Sequence, residues 1–262
     1  MHFEKHHIQH FLERIVKFAE ENLKQLSLYS VDQNNETNSF YFGLILRQLS
    51  ICNDLSILFK NKESDNFLTS EFILFRCLTD DFIHITYIIN QPNIDEAIVS
   101  FDADAVNKNF KKLEELANLN ETKLGGNYPF YPTAQFMEDL KEKVKKLPNR
   151  QQYFSDIDDF KFKTFPNTGN IIRGLNSEPF AHQLIRAYFV WRKLSDFVHY
   201  SNFTYEEEQS IELDKVYPEF AEIIGYSYYT VLYSLKHFEK IVKDFEIVDS
   251  LNLAEYYKDS LH

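Results

Sequence analysis

A short apolar stretch around residue 190, YFVWRKLSDFVHYSNF, is interrupted by side chains that can do chemistry. Arg192 is followed by Ser195, Asp196 and His199, at offsets of three, four and seven residues. On an α-helix, with about 100° between successive residues, all four fall within an arc of about 100°. A guanidinium can hold an anion, and an imidazole can move a proton near neutral pH. The spacing therefore predicts a polar stripe equipped for acid–base chemistry on an anion.

A second stretch, EFILFRCLTDDFIHITYIIN, carries a comparable stripe. Apolar residues occupy almost its whole circumference, which is typical of a helix enclosed on all sides. The exceptions are Arg76, Asp80 and His84 at successive steps of four residues, with Tyr87 beside them. Because an unpaired buried charge is costly, Arg76 needs acceptors, and Asp80 supplies one locally. We expect this stripe to pack against the stripe of Arg192, so that both helices share one polar cluster.

The same cluster also has a purely structural interpretation. Buried Arg–Asp and Ser–His networks fix the register of packed helices, and an Arg192–Asp196 pair at i,i+4 is ordinary helix chemistry. Under that hypothesis the cluster only stabilises the bundle. A third hypothesis is a non-catalytic binding or regulatory module, in which the cluster holds a small anion or a nucleotide. The residues alone leave these alternatives open.

Two sequence patterns carry a family resemblance. The segment RKLSDFVH, from Arg192 to His199, resembles the R-x(4–6)-H motif of the HEPN superfamily (higher eukaryotes and prokaryotes nucleotide-binding domains). The paired patterns Arg76-x3-Asp80 and Ser195-x3-His199 also resemble an uncharacterised bacterial all-helical family. The HEPN resemblance implies a metal-independent endoribonuclease, commonly dimeric, of a toxin–antitoxin or anti-phage defence system. An antitoxin or another defence protein would then be a partner.

The resemblance also implies roles for individual residues. His199 would transfer the proton of an RNA 2′-hydroxyl or of the leaving group, and Arg192 would stabilise charge on the phosphoryl group. We place Ser195 with them as a candidate catalytic residue. The candidate supporting or anion-binding residues are Arg76, Asp80, His84, Tyr87 and Asp196.

The composition favours helices over sheets. Hydrophobic residues make up 44% of the 262 residues and aromatic residues 16%, which is enough for a substantial core. Six glycines and seven prolines leave few turns for a meander of short strands. We therefore predict an all-α fold, a helical bundle with a central capping insertion.

The formal charge limits the partners. With 28 basic and 40 acidic residues, the net charge is −12, and such a surface repels phosphate backbones over most of its area. We expect no DNA binding, and RNA binding only through a local pocket.

Helical periodicity and turn signals predict one domain, residues 1–262, with a central insertion. The insertion covers about residues 119–178 and begins around the loop sequence LGGNYPFYPTAQ. We expect it to pack over one end of the bundle as a cap, and a merely decorative connection is the alternative. The core helices are predicted near residues 40–60, 69–90, 179–200 and 218–246.

Apolar runs and the spacing of cysteines and histidines indicate the localisation of the protein and its cofactors. The chain lacks an apolar h-region at its start and any run of ~18 uncharged apolar residues, so we expect no export signal and no membrane span. Cys52 and Cys77 lack C-x-x-C spacing and are typical of a reducing cytoplasm. His2, His6 and His10 have a spacing that can hold zinc, but their polar surroundings favour a solvated helix start. No metal and no other cofactor is expected.

The last long helix contains the aromatic run YSYYTVLYSLKHF. Its rings are predicted to lie mostly in the core, because aromatic side chains dominate burial energetics. Tyrosines with solvated hydroxyls also suit an interface, so we predict a homodimer through this helix or its neighbours. The tyrosines concerned are Tyr226, Tyr228, Tyr229 and Tyr233.

Overall fold

A computed structural model describes residues 4–61, 68–176, 178–198 and 201–257. The regular secondary structure of the described chain is almost entirely helical, which confirms the predicted all-α helical-bundle fold. The short remaining elements are a 3-10 helix at Pro148–Tyr153 and an antiparallel pair of strands, β1 (Phe154–Asp156) and β2 (Lys161–Phe162). The α-helices are α1 (Lys5–Leu26), α2 (Glu36–Asn61), α3 (Thr69–Ile89), α4 (Ile94–Leu124), α5 (Ala134–Lys145), α6 (Thr168–Gly174), α7 (Ala181–Asp196), α8 (Asn202–Gln209), α9 (Leu213–Ile241) and α10 (Leu253–Tyr257).

The chain divides into two compact units. The bundle unit comprises Met1–Asn90 and Thr168–His262, and the insert unit comprises Gln91–Asn167. The insert unit begins earlier than the predicted insertion, since α4 continues without a break past residue 119. The Asn93 side chain caps the start of this helix, and Gly125, whose φ of 67° is left-handed, follows its last residue.

Stacked aromatic rings fill the core of the bundle unit. Phe75 on α3 stacks on Phe220 of α9 at 4.1 Å between ring centroids, and Phe82 stacks on Tyr226 at 4.5 Å. Tyr226 and Tyr228 are both almost fully buried. The aromatic run of α9 is therefore core, as expected, and its buried rings cannot form the surface of a dimer. Helix α3 lies between α7 and α9 and contacts both.

Helix α2 packs against α1, α3 and α9. Within the described ranges it is a helix long and apolar enough, by length and composition, to cross a membrane, a property that differs from the sequence-based expectation of no span. Core helices of soluble bundles meet the same criterion. One face of α2 is buried in the bundle through residues that include Tyr41, Ile45, Cys52, Leu55 and Phe59.

The insert unit has its own small core. Phe154 and Phe162 stack across the two strands at 4.5 Å, and Phe110 of α4 and Met137 of α5 are buried in the same cluster. The fully buried Asn120 side chain fixes the loop after α4, because it donates to three loop carbonyls and accepts from the backbone N–H of Tyr128.

The helix predicted near residues 179–200 corresponds to α7, which is shorter within the described residues. Helix α7 ends at Asp196, and Phe197 and Val198 form a turn with i to i+3 hydrogen bonds. Two local forces explain the end. The Phe197 ring stacks on Phe72 of α3 at 4.2 Å, and Ser201 starts α8 with a reciprocal capping box to Thr204.

Candidate functional site

Helices α3 and α7 meet in the bundle unit and bring two predicted residues together. Arg76 Nε donates a hydrogen bond of 2.8 Å to Ser195 Oγ. The Ser195 hydroxyl in turn donates to the backbone carbonyl of Trp191, one turn earlier on α7, at 2.7 Å. Ser195 thus links the Arg76 guanidinium to the last turn of α7. We call the contact formed by Arg76, Trp191 and Ser195 the α3–α7 site.

Arg76 is half-buried and lies against an aromatic ring. Its Cζ is 4.8 Å from the centroid of the Trp191 ring, a cation–π geometry, and Tyr188 stacks on the Trp191 ring at 5.7 Å between centroids. Among the residues that the structure describes, no carboxylate forms an ion pair with Arg76. The expected local pair with Asp80 is therefore absent.

Asp80 bonds elsewhere, at the start of α6. The Thr168 hydroxyl donates to Asp80 at 3.1 Å, and His84 Nδ1 lies 3.7 Å from the other carboxylate oxygen. Asp80 and His84 thus form a group of their own beside the α3–α7 site. Tyr87 is half-buried and lies about 16 Å along the helix axis from Arg76, too far to share a small ligand with it.

Arg192 and Asp196 do not join a buried cluster, which corrects the expectation from their helical angle. Both are exposed, and within the described chain they form no ion pair, not even with each other. The reason is that α7 packs through Leu184, Ala187 and Leu194, which leaves Arg192 on the open side of the helix. An exposed guanidinium without a carboxylate neighbour is free to contact an anion.

His199, the candidate proton-transfer residue, lies outside the described residues. The described part of the predicted stripe ends with Ser195 and Asp196 in the last turn of α7. Of the three candidate catalytic residues, the structure therefore places Arg192 and Ser195.

Sequence reasoning missed Trp191 as a polar group, because a tryptophan counts as apolar in a helical projection. Its indole Nε1 is buried and has no hydrogen-bond acceptor in the described structure. The available signal was its position, one turn before Ser195 on the helix that was expected to meet Arg76. Trp191 therefore contributes an unsatisfied donor to the site.

Sequence reasoning also missed Asp81, the neighbour of the predicted Asp80. Asp81 accepts hydrogen bonds of 2.8 Å from both Arg47 Nε and Gln48 Nε2 of α2. Burial raises the pKa of Asp81 to about 6, although the Arg47 charge acts in the opposite direction. The adjacent Arg47 and Gln48 in an apolar helix were the signal for this second polar contact.

No group of three or more His, Cys, Asp or Glu side chains in the described ranges is placed to hold a metal ion. The polar groups of the α3–α7 site are hydrogen-bond donors and a hydroxyl. Such an arrangement can bind and orient an anion.

Comparison with known proteins gives one family. The family described as "Family of unknown function (DUF5677)" matches residues 38–216. No curated protein and no solved structure matches the chain. The matched range includes most of α2 and all of α3 and α7, and so it includes the α3–α7 site.

Proposed function

We propose that this chain, which belongs to the DUF5677 family of unknown function, is a HEPN-like, metal-independent endoribonuclease. Arg192 would contact the phosphate of RNA beside the last turn of α7, and His199 would transfer the proton. We place it in the cytoplasm, as part of a toxin–antitoxin or anti-phage defence system. The proposal comes from the R-x6-H pattern, and its geometric support comes from the α3–α7 site.

The observation that carries the proposal is the hydrogen bond from Arg76 Nε to Ser195 Oγ. This bond ties the last turn of α7 to α3, a helix of the bundle core. Arg192 lies three residues before Ser195, so its backbone is held in place while its side chain is exposed. The fixed backbone keeps the Arg192 guanidinium near the end of α7, where it can stabilise charge that develops on a bound phosphate.

The proposed reaction is a transesterification, in which the phosphoryl group of RNA is transferred from a 5′-oxygen to the adjacent 2′-oxygen. The 2′-oxygen attacks the adjacent phosphorus and loses its proton, the bond from phosphorus to the 5′-oxygen breaks, and that oxygen gains a proton. His199 moves protons in this scheme, and Arg192 stabilises the negative charge on the phosphoryl oxygens. The attacking group belongs to the RNA, so the protein supplies no nucleophile.

Local charge must overcome the net charge of −12. Lys193 and Arg186 of α7 are engaged with Glu219 and Glu222 of α9. Arg76 and Arg192 have no acidic partner among the described residues, so they supply the free positive charge near the end of α7. RNA would therefore be bound through this small region and not over a broad surface.

The test is cleavage of RNA by the purified chain in the presence of a metal chelator. We expect the wild type to cleave, and Arg192→Ala and His199→Ala each to lose at least about 100-fold in rate, as for loss of a charge-stabilising or acid–base group. Arg186→Ala is the matched control, because it removes another α7 arginine and is expected to retain activity. Equal rates in wild type and His199→Ala, or no cleavage of any RNA, would contradict the proposal.

A second candidate function is a non-catalytic module that binds a nucleotide or another small anion. The observation that favours it is the half-buried Arg76, which lacks an acidic partner in the described chain. Binding of an anion, without any catalysis, would explain this unpaired charge. The two functions differ in their dependence on His199. A binding module would keep its ligand affinity in His199→Ala and would leave RNA intact in the wild type.

A further inference from the structure

Two donor groups of the α3–α7 site lack acceptors. The indole Nε1–H of Trp191 is buried without a hydrogen-bond partner, and the Nη groups of Arg76 have none among the described residues. Native proteins satisfy nearly all buried polar groups, and an exception calls for an explanation such as an ion or a water molecule. The indole N–H is such an exception, and the partly buried Arg76 is in direct contact with its ring, so one ligand can contact both residues.

The chemistry of the site selects the ligand. The free groups all donate hydrogen bonds, and one of them carries a full positive charge. A cation is therefore excluded, and an anion with several acceptor oxygens fits best. Arginine forms bidentate pairs with phosphate through the N–H groups of its planar guanidinium. In Arg76 the Nε–H is hydrogen-bonded to Ser195, and the Nη groups remain available for a phosphate.

The contact between the two residues defines where a shared anion would lie. Arg76 Cζ lies 4.8 Å from the centre of the Trp191 ring. An anion that accepts from both an Nη group and the indole N–H would therefore lie at the edge of the ring, where the N–H points. The Trp191 ring also supports the guanidinium from one side, which leaves its edge for the ligand.

We propose that Arg76 and Trp191 form a subsite for a phosphate ester, oriented by Ser195. The identity of the ligand as a phosphate rests on the proposed function, whereas the binding itself does not require catalysis. In an RNA complex this subsite holds one backbone or terminal phosphate near the end of α7. Trp191 is a specificity residue here, since an aliphatic or phenyl side chain in its place would have no N–H to donate.

Trp191 is also the reporter, because it is the single tryptophan of the chain. Its fluorescence is measured while inorganic phosphate is added at constant ionic strength, with chloride as the balancing ion. Adenosine and its 5′-monophosphate form a second pair of titrations, which separates binding of the phosphate from binding of the base. We expect a saturable change with inorganic phosphate and with the monophosphate, and none with adenosine.

The variants remove one contact at a time. Arg76→Met is expected to weaken phosphate binding at least tenfold, and Ser195→Ala to weaken it less. Arg150→Met is the matched control, since Arg150 lies 4.9 Å over the Tyr153 ring in the insert unit and should not affect the titration. If Arg76→Met does not fold, Trp191→Phe keeps a ring under Arg76 and removes the N–H, and the phosphate-induced rise in Tm should then shrink.

The subsite is overturned if phosphate changes neither fluorescence nor Tm in the wild type, or if Arg76→Met and Trp191→Phe bind phosphate as well as the wild type does. Failure of the proposed function is distinguishable from this result. RNA cleavage without any phosphate response removes the subsite alone. A saturating phosphate response without cleavage of RNA removes the nuclease and leaves the subsite.

Discussion

At the scale of residues, the α3–α7 site shows how one hydroxyl organises a half-buried charge. Ser195 accepts from Arg76 and donates to the Trp191 carbonyl, so both of its hydrogen-bonding roles are fixed. The cation–π contact with Trp191 replaces part of the hydration that Arg76 loses on burial. Neither contact neutralises the guanidinium, so the positive charge of Arg76 remains available to an anion.

Which residues meet could be predicted only in part. The contact between Arg76 and Ser195 follows from the need of a guanidinium in an apolar helix for an acceptor on the helix that covers it. The Arg76–Asp80 pair was wrong because an i,i+4 spacing permits a pair without requiring it, and the Thr168 hydroxyl offers Asp80 another partner. Such a competitor, 88 residues away, cannot be found from local spacing.

Asp81 carries a prediction about pH. Its pKa is raised from 3.8 to about 6 in the fold, so its ionised form is disfavoured there. The stability that Asp81 contributes is therefore fully present below about pH 4 and is lost as the pH rises through about 6. Relative to Asp81→Asn, the wild type should lose up to about 3 kcal/mol of unfolding free energy between pH 4 and pH 7.

The measurement is urea unfolding of both proteins at several pH values. Asparagine does not titrate, so any constant effect of the substitution cancels in the comparison across pH. A difference between the two proteins that stays the same from pH 4 to pH 7 would show that burial does not control this carboxyl group.

At the scale of elements, α7 is shorter than its apolar pattern suggests. The pattern continues to Phe203, and periodicity alone therefore predicts a single helix. The structure ends α7 at Asp196, where Phe197 packs on α3 and the Ser201 capping box begins a new helix. Capping residues can end a helix even where the apolar periodicity continues. A prediction from periodicity alone does not take these residues into account.

Phe197 anchors this helix end, and its removal should be costly. Its side chain is buried and stacks on Phe72, so Phe197→Ala should lower the unfolding free energy by about 3–5 kcal/mol. Phe136→Ala is the control, because Phe136 is 51% exposed and its loss should cost under about 1 kcal/mol. Denaturant unfolding of the two variants measures the difference, and equal costs would mean that the stack does not hold the end of α7.

At the scale of the whole molecule, the all-α class and the positions of α2, α3 and α9 could be predicted, because long amphipathic or apolar helices dominate the sequence. The exposed side of α7 could not be predicted from the sequence. Ile185 and Phe189 have the composition of core residues, yet Phe189 is 71% exposed. An apolar residue is assigned to the core by its type, and only the packed structure shows which side of its helix is covered.

This exposed side of α7 is where we now expect the predicted homodimer. Ile185 and Phe189 lie one turn apart on this side, and a second copy related by a twofold axis would bury both apolar side chains. Light scattering at micromolar concentration should show a dimer for the wild type and a folded monomer for Phe189→Glu.

The control for this prediction is Phe130→Glu in the insert unit. Phe130 is 82% exposed, so the variant adds the same charge at a phenylalanine at least as accessible as Phe189 and should leave the dimer intact. A monomeric wild type, or a Phe189→Glu variant that remains dimeric, would rule out this interface.

The proposed function depends on one reaction, in which RNA is cleaved at the end of α7 by transfer to its own 2′-oxygen, without a metal ion. Its most direct test is the identity of the ends that the wild-type protein leaves on RNA in the presence of a chelator. We predict 2′,3′-cyclic phosphate and 5′-hydroxyl ends, which disappear with His199→Ala. Products with 3′-hydroxyl and 5′-phosphate ends, or ends that are unchanged by His199→Ala, would contradict the proposed reaction.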